Sequence, residues 1–276
     1  MEITPDEMMV ICIARQISDG DVVAQGLATP LVTAAYLLAR ETHAPNLYFT
    51  SAIGQGICRQ PAPMSITHIE SLWLDRSLTS VGFVRAAADI LPSLKPKEFF
   101  HPAQVDPSGN FNNVAFGHHY LNEYPHKARL RLPGTGGIPD VTTFINDIFL
   151  YVPQHSRITF VEKLDICSGL GHSIKRQAGQ GPKALISNLG VFDFHNGRMR
   201  LVSYHPGVDL TEIQKRTGFP LELAPSIHET PLPTPKELDI IRNQIDPLSI
   251  RKLELLSGPD RKHLLLEILN RENSQQ

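Results

Sequence analysis

Three glycines in four residues, Gly134-Thr135-Gly136-Gly137, are the strongest candidate for holding charge. No side chain blocks backbone amides at such a turn, so they can approach an anion or a developing oxyanion. The plainer reading is a loop that needs left-handed backbone at two glycines. Gly109-Asn110-Phe111-Asn112-Asn113 is a second candidate. Its amide side chains either cap turns or line a ligand site beyond a strand of a parallel sheet. His118, His119 and His126 read as surface loop histidines rather than a metal set, with His118 or His119 a candidate pocket lining. No metal site is expected. Glu162 and Asp165 read as structural, salt-bridged residues at a strand end. Ser168-Gly169-Leu170-Gly171-His172 reads as a flexible glycine loop, too short and misplaced for a dinucleotide fingerprint.

The run from Ala44 to Gly54 reads as a turn, a buried strand and a glycine exit, so it delivers something to a strand end. Yet no Asp or Glu stands anywhere from Ala44 to Gly56. Whatever chemistry is done there, a carboxylate of this segment does not do it.

The elements around these residues follow from pattern. Thr4-Pro5-Asp6-Glu7 is a capping box with proline at the first helical position. The helix it opens places Met8, Ile11, Cys12 and Ala14 on one face. Val22 to Gln25 reads as a strand, Leu31 to Ala39 as a helix and Leu47 to Ala52 as the next strand. Strand, helix and strand with short connections make the βαβ unit of a parallel sheet. Later strands are expected at Phe99 to Val105, Ile148 to Val152, Ile158 to Glu162 and Ala184 to Ser187. Val191 to Phe194 and Met199 to Ser203 form a hairpin, joined by Asn196-Gly197 in a type I′ turn. Asp209 caps a helix that Gly218 ends. Pro225 to Pro235 reads as a surface connection. Thr234 opens a helix toward Ile245, and a last amphipathic helix covers Asp260 to Asn270. The fold class is α/β: a single domain over 1–276, with a mostly parallel open sheet, flanking helices and a late antiparallel hairpin. Residues 248–276 form a C-terminal helical tail.

Composition sets the class. A chain of 276 residues with 41% hydrophobic and 20% charged residues suits a soluble globular protein. Its net charge of −2 and unclustered cations give no nucleic-acid stripe. No apolar run approaches the length of a membrane span, and the acidic start is no signal peptide. Cys12, Cys58 and Cys167 are odd in number and widely spaced, which points to the reduced cytosol rather than a disulfide framework. Cys58 reads as a buried, inert thiol.

Several segments in order, over nearly the whole chain, resemble the β-type subunit of family I coenzyme A transferases, the glutaconate CoA-transferase group. They are Gly26 to Pro30, Ala44-Pro45-Asn46, Ala103 to Asn112, Gly134 to Gly137, Phe160 to Asp165, Ser187 to Phe194, Tyr204 to Val208 and Ile241 to Pro247. The resemblance implies the CoA-transferase (NagB/RpiA-like) fold. It implies a CoA-side role for Gly134, Thr135, Gly136 and Gly137, and a pocket that includes Ser51, Gly54, Asn110 and Asn112.

In that family a glutamate attacks the thioester and forms covalent intermediates. Its position falls on Ala52, and the glycine after it on Gly54; a slip of one residue gives Ser51 or Ile53. None of these can form a glutamyl anhydride, so the resemblance names no certain catalytic residue in this chain. Ser187 to Phe194, the His205-Pro206-Gly207-Val208 turn and the tail from Leu232 to Arg251 look closest to one branch. That branch is the two-subunit hydrolase of steroid degradation, where the α-type subunit supplies a glutamate base. The resemblance thus implies an α-type partner in an α2β2 heterotetramer, an acyl-CoA substrate, cytoplasmic location and no permanently bound cofactor, CoA arriving with the substrate. Two alternatives stay open: an acyl-CoA:carboxylate CoA-transferase subunit, and a non-catalytic binding or scaffolding subunit.

Overall fold

The structure is a computed structural model that describes residues 2–26, 29–51, 56–60, 63–68, 74–117, 129–176 and 179–274. The chain divides into two compact units, Met1–Phe99 with Pro231–Gln276, and Phe100–Thr230.

The first unit opens with helix α1 (Pro5–Ala14), where the Thr4 backbone N–H donates to Glu7 Oε2 at 2.9 Å. Every residue from Asp6 to Ala14 is buried, so α1 is enclosed on all sides rather than along one face. Its near-uniform apolar run leaves no polar face to turn to water. Strand β1 (Val22–Gln25) follows, then α2 (Pro30–Thr42) and β2 (Tyr48–Ser51). The βαβ expectation holds: β1 and β2 pair in parallel from Val22↔Tyr48 to Gln25↔Ser51. Antiparallel β3 (Gly56–Cys58) and β4 (Thr79–Ser80) extend the sheet beyond β2. A helical stretch the sequence reading did not name, Phe83–Arg85, Ala86–Ile90 and Leu91–Leu94, precedes β5 (Lys97–Phe100). Strand β5 pairs in parallel with the other side of β1, so the strand order is β5-β1-β2-β3-β4. Cys58 is fully buried, and burial pushes its thiol up to about 12, as an inert packing residue requires.

The C-terminal segment closes this unit. The Thr234 capping box forms, and Pro235–Asp239 runs on through a wider π turn at Ile240–Ile245. Arg251, 1% exposed, lies among acids of α1 and of the tail. Its guanidinium meets Asp6 at 2.7 Å, Asp246 at 2.8 Å and Glu7 at 3.4 Å. Arg242 meets Glu7 at 2.6 Å. Burial pushes the Glu7 carboxyl up, but the bonds from Arg242 and Thr4 outweigh it and hold it at about 2. The last helix, Gly258–Ser274, is longer than expected. Its Glu272 accepts bonds from the backbone N–H groups of Ile66 and Thr67 at 2.9 and 3.0 Å.

In the second unit, β6 (Gln104–Val105) pairs with β7 (Phe111–Asn112), and β8 (Ala115–Phe116) with β9 (Leu130–Arg131). The expected strand Phe99 to Val105 is therefore two pieces. Pro102 lies between them and has no N–H for a ladder. Helix α3 (Ile138–Phe144) leads to β10 (Ile148–Val152) and its parallel neighbour β11 (Ala184–Ser187). The expected strand at Ile158 to Glu162 is not one. Thr159 and Phe160 donate to Ser156 O and hold the segment as a turn, with isolated bridges at Phe160 and Val161. The hairpin is β12 (Gly190–His195) and β13 (Arg198–Tyr204), with φ +49° at Asn196 and +75° at Gly197, as a type I′ turn demands. Asp209 caps α4 (Leu210–Arg216) by accepting from Thr211 N. Gly218 does not end that helix in a left-handed turn; its N–H donates to Phe160 O, and a Cβ there would stand 2.3 Å from that oxygen.

The expected connection from Pro225 is instead β14 (Glu222–Glu229), parallel to β13 at the end of the strand order. Pro225 falls where the register shifts, between Leu223↔Leu201 and His228↔Ser203. An edge strand tolerates proline at such a bulge. Phe111, Phe160 and Phe192 form the centre of this unit's core. The fold class is thus α/β, with parallel strands at the core of each unit and a late antiparallel hairpin.

Candidate functional site

In the first unit the strand ends matter. Ser51 is buried and is the last residue of β2, beside Gln25 of β1 and Gly56 of β3. Ala52 and Gly54 lie outside the described residues, as do His118, His119 and His126. Strand β1 has β2 on one side and β5 on the other, so chain order reverses there. Ligands of open α/β sheets bind at the carboxyl ends of strands where that happens.

The β1–β5 pairing ends at Ala24↔Glu98. The Tyr36 hydroxyl of α2 donates to Ala24 O at 2.9 Å. Around this end sit three enclosed polar atoms with no partner: Gln25 Oε1, Thr29 Oγ1 and Glu98 Oε2. Burial alone pushes the Glu98 carboxyl up to about 7. Sequence reading gave these three residues no role. The one available signal was a lone carboxylate against Phe99-Phe100 in an apolar strand.

In the second unit the Asn loop is internally bonded. The Asp106 carboxylate accepts from Ser108 N at 2.8 Å, and from Asn110 N at 3.0 Å and Nδ2 at 2.9 Å. Asn110 Oδ1 accepts from Gly171 N at 2.8 Å. Burial pushes the Asp106 carboxyl up, with those bonds pulling the other way. Asn112 is fully buried, donates to Gln104 Oε1 and Ala115 O, both at 2.8 Å, and accepts from Val114 N. Gln104 in turn bonds Asp165, which also accepts from Gly117 N at 3.0 Å. Both Asn side chains thus fix the loop's shape.

The Ser168 to His172 loop is packed tightly rather than flexible. A Cβ on Gly169 would stand 2.2 Å from the Phe111 ring, and one on Gly171 would stand 2.3 Å from Asn110 N. These glycines serve close approach, not left-handed backbone. Gly171→Ala is expected to cost about 3 kcal/mol, because backbone has to move. Gly136→Ala, with open space around its Cβ, is expected to cost only about 1 kcal/mol for its left-handed backbone. Thermal unfolding of the two variants side by side checks the contrast.

At Gly134, Gly136 and Gly137 the backbone is left-handed, as the plainer reading expects. The glycines have φ of +115°, +54° and +93°. Among the described residues, and chain neighbours apart, no atom lies within 4 Å of where their Cβ atoms would be. Thr135 O accepts from Ile138 N at 3.0 Å, which sets the turn at the start of α3. Asn110 and Asn112 share one loop; the glycine turn belongs to another segment of the same unit. A separate cleft of about 390 Å³, lined by Asn146, Asp147, His172, Lys183 and Phe194, contains none of the predicted site residues.

No family model matches the chain. It is 29% identical to the B-type chain of the 3-oxoadipate CoA-transferase of Pseudomonas knackmussii, over 86% of this chain and 91% of that one. It is also 29% identical to the cholesterol ring-cleaving hydrolase IpdB subunit of Rhodococcus jostii, over 92% and 97%. Among solved structures, a variant of the decarboxylase AibA/AibB superimposes with a TM-score of 0.75 at 30% identity, covering 91% of this chain and 98% of that one.

Proposed function

We propose, on the premise that this chain belongs to the family of β-type CoA-transferase subunits, that it forms part of a two-subunit enzyme acting on acyl-CoA. Its reaction is hydrolytic cleavage of a carbon–carbon bond in a cyclic β-diketone carried by CoA, in steroid degradation. The single observation that carries this reading is the absence of any Asp or Glu from Ala44 to Gly56. Without a carboxylate at the end of β2, this chain offers no nucleophile there for a glutamyl intermediate. The likeness to the ring-cleaving hydrolase subunit supports the hydrolytic alternative.

In that reaction a glutamate of the α-type partner takes a proton from water as general base. The resulting hydroxide adds to a ring carbonyl. The ring carbon–carbon bond then breaks; its electron pair passes to the neighbouring ketone as an enolate, which takes up a proton. The products are a new carboxylate and an open-chain ketone, with the thioester intact. This chain lines the acyl pocket, and its open glycine turn lies on the CoA side, where backbone amides suit an anion. The assembly is an α2β2 heterotetramer of the cytoplasm.

The test mixes both purified subunits with a CoA thioester bearing a cyclohexane-1,3-dione ring. The expected product carries one added water and an opened ring. The second reading, CoA transfer between carboxylic acids, draws on the 3-oxoadipate transferase relative. Transfer of CoA to an added carboxylate, with the ring left closed, would establish it in place of hydrolysis.

A further inference from the structure

We propose that Glu98 faces the acyl part of the CoA thioester and hydrogen-bonds one of its carbonyl oxygens through the free carboxyl oxygen. The inference rests on the acyl-CoA reading and adds to it a binding residue of this chain. Position is the first support: Glu98 stands opposite Ala24, one residue before the carboxyl end of β1, where the strand order reverses.

Unsatisfied chemistry is the second. Buried polar atoms ordinarily have partners, and each exception calls for a cause. Among the described residues, the enclosed side-chain atoms without a hydrogen bond are six. Asp6 Oδ2 and Arg251 Nε answer each other by charge at 2.7 Å. Thr4 Oγ1 lies at the start of α1. The other three belong to Gln25 at the end of β1, Thr29 in the loop after it and Glu98 on the adjoining strand; Glu98 shares a sheet face with Ala24, and Gln25 points to the opposite one.

Charge is the third. Among the described residues no cation bonds the Glu98 carboxyl. Lys97 beside it is taken by Asp21 at 2.6 Å. Tyr36 is the titratable group facing it from α2; burial first, then the Glu98 charge, push that phenol up. The paired strands β1 and β2 place Ala24 and Thr50 on the same face as Glu98 and contribute no charge. With its own carboxyl raised to about 7 by burial, Glu98 is protonated in about half the molecules at neutral pH and in most of them below it. A protonated carboxyl is a donor, and a carbonyl oxygen is the acceptor that matches it. An uncompensated buried carboxyl lowers stability, a cost that proteins retain chiefly at working sites.

The experiment uses the complex of both subunits, with the cyclohexane-1,3-dione thioester and free CoA as probes, in titration calorimetry from pH 6 to 9. In Glu98→Ala, thioester affinity is expected to fall at least about tenfold at pH 6.5, the loss of a buried hydrogen bond. Free-CoA affinity should hold. Glu98→Gln should keep thioester binding at pH 6.5 and lose the weakening above pH 7 that is expected of wild type. At pH 8 Glu98→Gln should melt no lower than wild type, which shows that it is folded. The inference is overturned if both variants bind the thioester like wild type at every pH while melting higher. If binding depends on Glu98 but no ring opens, the inference stands and the hydrolytic reading falls. A wild-type complex that binds no CoA thioester removes both.

Discussion

Arg251→Met is expected to cost the subunit about 3 to 5 kcal/mol, the range for breaking a buried ion pair from one side. Arg251 is the only cation within ion-pair distance of Asp6 and of Asp246 among the described residues, and all three are nearly sealed from water. The Asp6 contact touches at 2.7 Å yet lies off the hydrogen-bond axis, so it acts through charge. Methionine fills similar volume but leaves two enclosed carboxylates unanswered. Arg242→Met is the control. Arg242 is about a third exposed and serves Glu7, which keeps a 3.4 Å contact with Arg251. Its loss should be clearly smaller. Urea unfolding of the two variants checks the order; equal losses would show that burial of the guanidinium is not what matters.

Acid should destabilise the protein from about pH 6 downward, because two buried histidines resist protonation in the folded state. His155 stacks flat on Phe160 with ring centres 3.6 Å apart. Thr217 Oγ1 donates to Ile213 O, so it accepts from His155 Nε2–H at 3.0 Å. His155 Nδ1 then accepts from the Ser187 hydroxyl at 3.1 Å. His205 donates from Nε2 to Ser187 O at 2.9 Å and accepts at Nδ1 from Thr230 Oγ1 at 3.1 Å. Both rings are thus fixed in the neutral, Nε2-protonated form.

Burial holds His155 at about 3 and His205 at about 4. Unfolded, each titrates near 6.5. Below that pH the unfolded chain binds protons that the native chain refuses, so stability falls with pH. The expected slope is about 1.4 kcal/mol per pH unit for each histidine, or about 2.7 for the pair, from roughly pH 6 down to 4. Glu98 works in the opposite sense, since its folded carboxyl is raised, and flattens the profile between about 4.5 and 7. Unfolding free energy measured from pH 8 to 4 should therefore drop more steeply in Glu98→Gln than in wild type. In the double variant His155→Gln, His205→Gln, it should drop less, from a lower starting value. A profile indifferent to all three changes would contradict the neutral assignment.

What the sequence made legible was local grammar. Thr234-Pro235-Lys236-Glu237 and Asn196-Gly197 each contain their own geometry within a few residues and form as read, and at Thr4-Pro5-Asp6-Glu7 the helix starts as read with the Glu7 half of its box made. Val22 to Gln25 was read to the residue, since turn residues bound a short apolar run on both sides. The failures share a cause. Ile158 to Glu162 has strand composition, but Ser156 captures its backbone. Pro225 reads as a break, yet a bulge at the edge of a sheet absorbs it. Gly169 and Gly171 read as mobile because closeness to Phe111 and Asn110 is a tertiary fact. For the site, the missing carboxylate after Ala44 was visible by inspection. Glu98 was not, because only strand order sets it against the end of β1.

The Arg251 cluster also has a bearing on how the chain is made. Asp6 and Glu7 leave the ribosome long before Arg242, Asp246 and Arg251, which lie more than two hundred residues further along the chain. Phe100–Thr230 is one uninterrupted stretch with a hydrophobic core built from its own residues, so it can reach its native form during synthesis. The other unit cannot: its first ninety-nine residues wait, with two acids lacking counter-charges, until Pro231–Gln276 has emerged. Its completion therefore comes after the intervening unit has been made, and the interval before it is when the nascent chain most needs a chaperone.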